Sequence, residues 1–293
     1  MDDTTRHLCD VAAEVLRKIG QGPDGHITIV GGLVPTLRSG QCTQPPTAEH
    51  QGTGDLDLVL SLALLRGETA SYYQDVATAL REAGLAPGKA TPGDDKRWRW
   101  QGEVLGRPAK VELLAKDQEG YPAGQPQPLP VPGSAAGDRT VLTVLGVAYA
   151  EMAHVDRDLV VIDVTTRHGV LQGYELPVAG LASWLALKSE AVVRRDKDKD
   201  AYDIVWLLRC LGPEGAADMI MASKLWTTDH AAALSAALVQ LRSQFADREG
   251  HACGAAAAYV RDAGLTESSE AVERRQAREA VMSTLNALDQ RRK

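Results

Sequence analysis

The stretch "GTGDLDLVLSL", Gly52 to Leu62, places two like charges at the head of a run that is otherwise almost wholly apolar. Side chains alternate along an extended strand, so Asp55, Asp57, Val59 and Ser61 share one face while Leu56, Leu58, Leu60 and Leu62 share the other. Two neighbouring carboxylates repel, and the pair is costly unless a cation sits between them. Carboxylate oxygens suit Mg2+, which keeps waters and takes its other ligands from substrate phosphates. An aspartate pair on a solvated strand start that does nothing is the plainer reading of this stretch alone.

A second stretch bears on the choice. "HITIVGGLVPTLRSG", His26 to Gly40, sets Gly31 and Gly32 between a β-branched strand and a helix-like segment. Bare backbone at a helix N-terminus suits a phosphate, although many strand-to-helix turns use glycine only for positive φ. A third carboxylate, Glu112, stands among apolar neighbours in "AKVELLA", a strand expected to lie beside the aspartate strand. Converging on Asp55 and Asp57, it would complete a cradle for a divalent metal.

Around these stretches the pattern reads as an α/β (α+β) chain with a small mixed sheet followed by helices. Helical spacing runs from residue 5 to Gly20 and again over 69 to 84, and residues 97 to 116 read as a hairpin. The Pro/Gly-rich segment 120–137 reads as a linker or long edge loop, and residues 139–154 as a strand or a helix. From Gly180 onward the chain is rich in Ala and Leu and helical, with breaks near Gly212 and Gly264. The expected domains are 1–178 and 179–293, with a cleft between them.

With 293 residues there is ample chain for a core. Four cysteines without CxxC spacing suggest neither a zinc site nor a disulfide framework, and no apolar run reaches membrane-spanning length. A cytoplasmic setting is the expectation. The net charge of −7 does not advertise a nucleic-acid binder, yet "VVRRDKDK" and "ERRQAR" could each carry an RNA backbone or be solvated helix faces.

Within "LPVAGLASWLALKSEAVVRRDKDKDAYDIVWLL", Leu181, Trp184, Leu185, Lys188 and Val192 fall on one helical stripe, so Lys188 faces inward and needs an anionic partner or a cleft. Asp200 and Asp203 turn the same way, either to position an acceptor hydroxyl or to hold the helix by ion pairs.

The glycine turn, the paired-carboxylate strand and the later carboxylate together resemble the nucleotidyltransferase fold of the polymerase-beta type. The Leu176 to Leu208 stretch is similar to the helical Lys…Asp…Asp motif of the AbiEii-type nucleotidyltransferase toxins, and the likeness covers roughly residues 26 to 210. Family members at large often carry Gly-Ser where this chain has Gly31-Gly32, and Asp where it has Glu112. The resemblance implies two Mg2+ ions, or Mn2+, on Asp55, Asp57 and Glu112. It implies an NTP whose phosphates meet Gly31, Gly32 and Lys188, and a catalytic set completed by Asp200 and Asp203. The implied acceptor is RNA, with the 3′ end of tRNA foremost, and a cognate antitoxin is an implied partner. A small-molecule nucleotidyltransferase, acting on an antibiotic or metabolite, and a non-catalytic nucleotide- or partner-binding member of the fold are the alternatives.

Overall fold

The computed structural model describes residues 1–19, 25–44, 48–62, 70–91, 94–129, 142–195 and 197–293. Gly20, expected as a helix stop, and residues 130–137 of the Pro/Gly segment lie outside the described residues. In chain order the elements are α1 (Asp3–Ile19), β1 (Ile27–Val30), α2 (Val34–Leu37), β2 (Leu56–Leu60), α3 (Ala70–Glu82), β3 (Leu85–Pro87), β4 (Ala90–Thr91), β5 (Asp94–Asp95), β6 (Arg99–Val104) and β7 (Arg107–Lys116). Then come β8 (Pro126–Pro128), β9 (Thr143–Val147), α4 (Met152–Val155), β10 (Arg157–Thr166), β11 (Gly169–Ala179), α5 (Leu181–Arg194), α6 (Asp198–Leu211), α7 (Pro213–Met221), α8 (Ala231–Ala246), α9 (His251–Asp262) and α10 (Glu270–Arg291). The protein is thus mixed α/β.

The chain divides into two compact units. The first comprises Met1–Leu33 and Gly52–Ala179, the second Val34–Gln51 and Gly180–Lys293. The sequence pattern assigned all of 1–178 to one domain; the structure moves the segment Val34–Gln51 to the helical unit. The reason is where its polar groups and its cysteine find partners. The Thr43 and Gln44 amides donate to the Cys210 carbonyl, the Thr43 hydroxyl donates to the Leu211 carbonyl, and the Trp206 indole donates to the Ala48 carbonyl. Cys42 and Cys210, 168 residues apart, form a disulfide. This corrects the expectation of unpaired cysteines, which local spacing could not have revealed.

In the first unit, a nine-stranded mixed sheet has the order β10-β11-β1-β2-β7-β6-β3, with β9 also pairing β7 and β8 pairing β9. β1 runs parallel to β11, β2 to β7 and β7 to β9, and the other pairings are antiparallel. The segments "DLVVIDVTT" and "GVLQGYELPV", whose sequence reads as extended and able to complete the sheet, form the long β10–β11 hairpin. It joins through the parallel β11–β1 contact and makes the sheet larger than the small one expected. Within the Pro/Gly segment, β8 is a short strand of that sheet, and residues 139–154 supply β9 and then the one-turn helix α4.

β1 is buried along its whole length, and in β2 Leu56, Leu58, Val59 and Leu60 are all buried, as expected of central strands covered on both faces. Asp57 is the one residue of β2 that is not buried. α1 packs its Leu8, Val11, Val15 and Leu16 face onto this unit, against α3 and β10. In the second unit α5 to α10 enclose Leu185, Ile204, Leu207, Phe245, Val281 and Leu285.

Candidate functional site

Asp57 is the register partner of Glu112 across the parallel β2/β7 pair, so the two carboxylates rise side by side from one face of the sheet. Asp55 lies one residue before β2 and not within it, yet its carboxylate reaches the same face. The Lys110 ammonium, two residues before Glu112 on β7, donates to Asp55 Oδ2 at 2.7 Å and lies 3.1 Å from Glu112 Oε1. From β6, Arg99 Nε donates to Glu112 Oε1 at 2.9 Å, its guanidinium resting 4.6 Å from the centre of the Trp98 ring. Burial alone would lower the Lys110 pKa, but hydrogen bonds to Asp55 and Glu112 outweigh it and hold the ammonium above the ordinary lysine range. A cation is thus supplied by the protein between Asp55 and Glu112, rather than between the two aspartates as their repulsion suggested.

Gly31 answers to the same carboxylates. Its φ is +72°, a region that L side chains seldom adopt, and a Cβ built there would overlap the Asp57 carboxylate outright. The glycine is required so that Asp57 can lie against the backbone. The chain continues from it through one 3-10 turn, Gly31–Leu33, into the four-residue α2. It is a short helix, as the sequence suggested, and too short to offer the dipole of a long helix to a phosphate.

Among the described residues no group of three or more His, Cys, Asp or Glu side chains is arranged to hold a metal ion. The donor set fits one in kind, all hard carboxylate oxygens, and two of them already hold a cation at 2.7 and 3.1 Å. The ammonium would have to move aside.

The helical unit holds a separate cluster. Lys188, 6% exposed on α5, donates to Asp200 Oδ1 at 2.6 Å and to Asp203 Oδ2 at 2.7 Å, both on α6. Lys199 donates to Asp203 Oδ1 at 2.7 Å, and His50 Nε2 lies 2.9 Å from the same oxygen. Burial on its own would depress Lys188 and raise Asp203; the opposite charges prevail, leaving Lys188 above and Asp203 well below its ordinary value. An ionised Asp203 only accepts hydrogen bonds, so His50 Nε2 carries its proton and Nδ1 accepts from the Thr36 hydroxyl at 2.9 Å. The His50 ring stacks on Tyr202 at 5.5 Å and meets Trp206 edge-on at 4.9 Å. Burial pushes the His50 pKa down against the pull of Asp203, which keeps the ring neutral. Asp200 Oδ2 is buried without a hydrogen-bond partner among the described residues.

Asp55, Asp57, Glu112 and Gly31 therefore meet on one sheet face, with Gly32 buried in the turn beside Gly31, while Lys188, Asp200 and Asp203 meet in the core of the helical unit. The pattern gave Lys188 an anionic partner or a cleft, and the resemblance gave it a phosphate; the structure pairs it with two aspartates. Lys110, Arg99 and His50 were missed. Lys110 and Glu112 repeat, on β7, the i, i+2 alternation of the aspartate pair, and that spacing was a usable signal. A lone histidine in a Pro/Thr-rich loop carried none. No family model and no curated protein matches the chain, so its functional reading rests on these residues and their geometry.

Proposed function

We propose that the carboxylate face of the first unit belongs to a metal-dependent nucleotidyltransferase. The observation that carries this reading is the opposition of Asp57 and Glu112 in the parallel β2/β7 register, with Asp55 on the same face and Gly31 clearing the backbone beside Asp57. Asp55, Asp57 and Glu112 would hold Mg2+, which supplies charge neutralisation for a triphosphate and a lowered pKa for an attacking hydroxyl. In the transfer, an acceptor hydroxyl oxygen bonds to the α-phosphorus of an NTP, the bond to the bridging oxygen breaks, and pyrophosphate leaves. The hydroxyl proton passes to Glu112. Lys188, Asp200 and Asp203, mutually paired and buried, form the framework of the helical unit.

Within this class the sequence likeness favours an AbiEii-type toxin whose acceptor is RNA, a tRNA 3′ end foremost, opposed by an antitoxin. A second reading has a specific observation behind it: Lys110 and Arg99 already neutralise Glu112, as in a member of the fold that binds and does not catalyse. The test is incubation of the protein with each α-labelled NTP, Mg2+ and total cellular RNA, alongside Asp57→Ala. Label on a tRNA-sized band, lost in Asp57→Ala, supports the RNA-directed transferase. Label on a small molecule and not on RNA moves the acceptor. No labelled product with any NTP or acceptor leaves the non-catalytic reading, and full activity of Asp57→Ala removes the aspartate strand from the site.

A further inference from the structure

Two cations sit on the carboxylate face among the described residues, and their side chains are equally exposed, Lys110 at 28% and Arg99 at 29%. They differ in what holds them: Arg99 is bound to Glu112 and laid on the Trp98 ring, whereas the Lys110 ammonium bridges the Asp55 and Glu112 carboxylates. Its stem is a flexible four-carbon chain ending in a compact charge. The two oxygens it bridges are the ones that a divalent ion shared by Asp55 and Glu112 would need. Lysine and metal compete for the same donors, so each weakens the binding of the other.

We propose that Lys110 is the resident counter-ion of this face, holding Asp55 and Glu112 together while no metal is bound and giving way when a divalent cation takes its place. The inference rests on the reading of Asp55, Asp57 and Glu112 as metal ligands. Without the lysine, the Asp55 and Glu112 carboxylates would repel one another across the gap the ammonium now bridges whenever the metal was absent. With the ammonium in place they keep their positions, and the metal meets a preassembled set of ligands at the cost of displacing one side chain.

The competition makes removal of the lysine act in opposite directions on two measurements. In Lys110→Met the metal-free protein should melt several degrees below wild type, because Asp55 and Glu112 lose a shared partner. The same variant should bind Mn2+ at least tenfold more tightly, because no ammonium has to be displaced from Asp55 and only Arg99 remains on Glu112. Lys110→Arg keeps a charge on a stem of similar reach, and should restore the melting temperature while binding Mn2+ no more tightly than wild type. The experiment is titration calorimetry of the full chain with Mn2+, together with thermal scans in EDTA, on wild type and both variants. Mn2+ bound by Lys110→Met as weakly as by wild type, or more weakly, overturns the role of Lys110 and leaves the ligand reading standing. An unchanged melting temperature in EDTA overturns it as well. Absence of Mn2+ binding in all three proteins overturns the ligand reading itself, and this inference with it.

Discussion

Lys188→Met puts the buried charge network of the helical unit to its hardest test. Methionine keeps an unbranched apolar stem in the same stripe and removes only the charge. Asp203 would retain Lys199 at 2.7 Å and His50 at 2.9 Å, but Asp200 would lose the Lys188 ammonium from Oδ1, its Oδ2 being already without a partner among the described residues. At the observed Nζ to oxygen distances of 2.6 and 2.7 Å, each pair is worth about 6 kcal/mol of Coulomb energy at an effective dielectric near 20. Desolvation of the ions offsets most of that gain, and breaking a buried pair from one side costs about 3–5 kcal/mol, because a charge is left buried alone. The expected drop in Tm is about 6–20 °C. A buried carboxylate left alone resists ionisation and takes up a proton as pH falls, so the gap between variant and wild type should narrow between about pH 7.5 and about pH 4.5. Wild type moves the other way: the Asp203 pKa is depressed on folding, so its contribution is present above the ordinary carboxylate pKa and is lost as pH falls through the folded value. Urea unfolding followed by far-UV circular dichroism at both pH values measures the gap. A variant within about 1 kcal/mol of wild type at neutral pH, or a gap that does not change with pH, would refute the argument. Adding Asp200→Asn to Lys188→Met should recover part of the loss.

Gly31→Ala should cost about 2 kcal/mol or more, from positive φ together with overlap on the Asp57 carboxylate, and should abolish nucleotide transfer; a variant as stable and active as wild type would mean that the turn re-forms freely. Reducing the Cys42–Cys210 bond, or replacing both cysteines by serine, should lower stability by about 2–5 kcal/mol because the cross-link closes a loop of 168 residues, and urea midpoints with and without reductant show it. His154, hydrogen-bonded through Nδ1 to Thr28, has its pKa lowered by burial from 6.5 to about 4. The unfolded chain therefore takes up that proton first, and stability is full above about pH 6.5 and falls toward pH 4 by up to about 3 kcal/mol. His154→Gln should flatten that part of the stability profile.

The aspartate strand was legible because a two-residue period and a charge on an apolar face leave few arrangements open, and the register makes Asp57 and Glu112 neighbours. Helix α1, the β6–β7 hairpin and the helical second half were legible for the same reason, a strong period over many residues. The burial of Lys188 followed from its stripe, and the need for an anion followed from its burial, but which anion met it depended on contacts 12 and 15 residues away. His50 and Asp203 are 153 residues apart, and Cys42 and Cys210 are 168 apart; nothing local marks either pair. Lys110 was overlooked for a different reason. Its i, i+2 spacing from Glu112 on an apolar strand marks the shared face, but only the position of Asp55 in space shows that its charge is committed.

The excursion Val34–Gln51 leaves the sheet unit after β1 and returns to it just before β2, while its partners Tyr202, Asp203, Cys210 and Leu211 lie 151 to 168 residues further along the chain. At a synthesis rate of about 5–20 residues per second, those partners leave the ribosome roughly 8 to 30 s after the segment that needs them. Through that interval Thr43, Gln44, Ala48 and Gln51 lack the groups they hydrogen-bond with at Tyr202, Trp206, Cys210 and Leu211, although the strands on either side can already pair. A chain cut after Ala179 contains every strand of the sheet among the described residues and lacks the partners of this segment, with Cys42 and His50 unpaired between β1 and β2 in sequence. The order of events in folding is therefore set by the second unit: the first can collapse early, but one of its connections is finished only when α6 has been made.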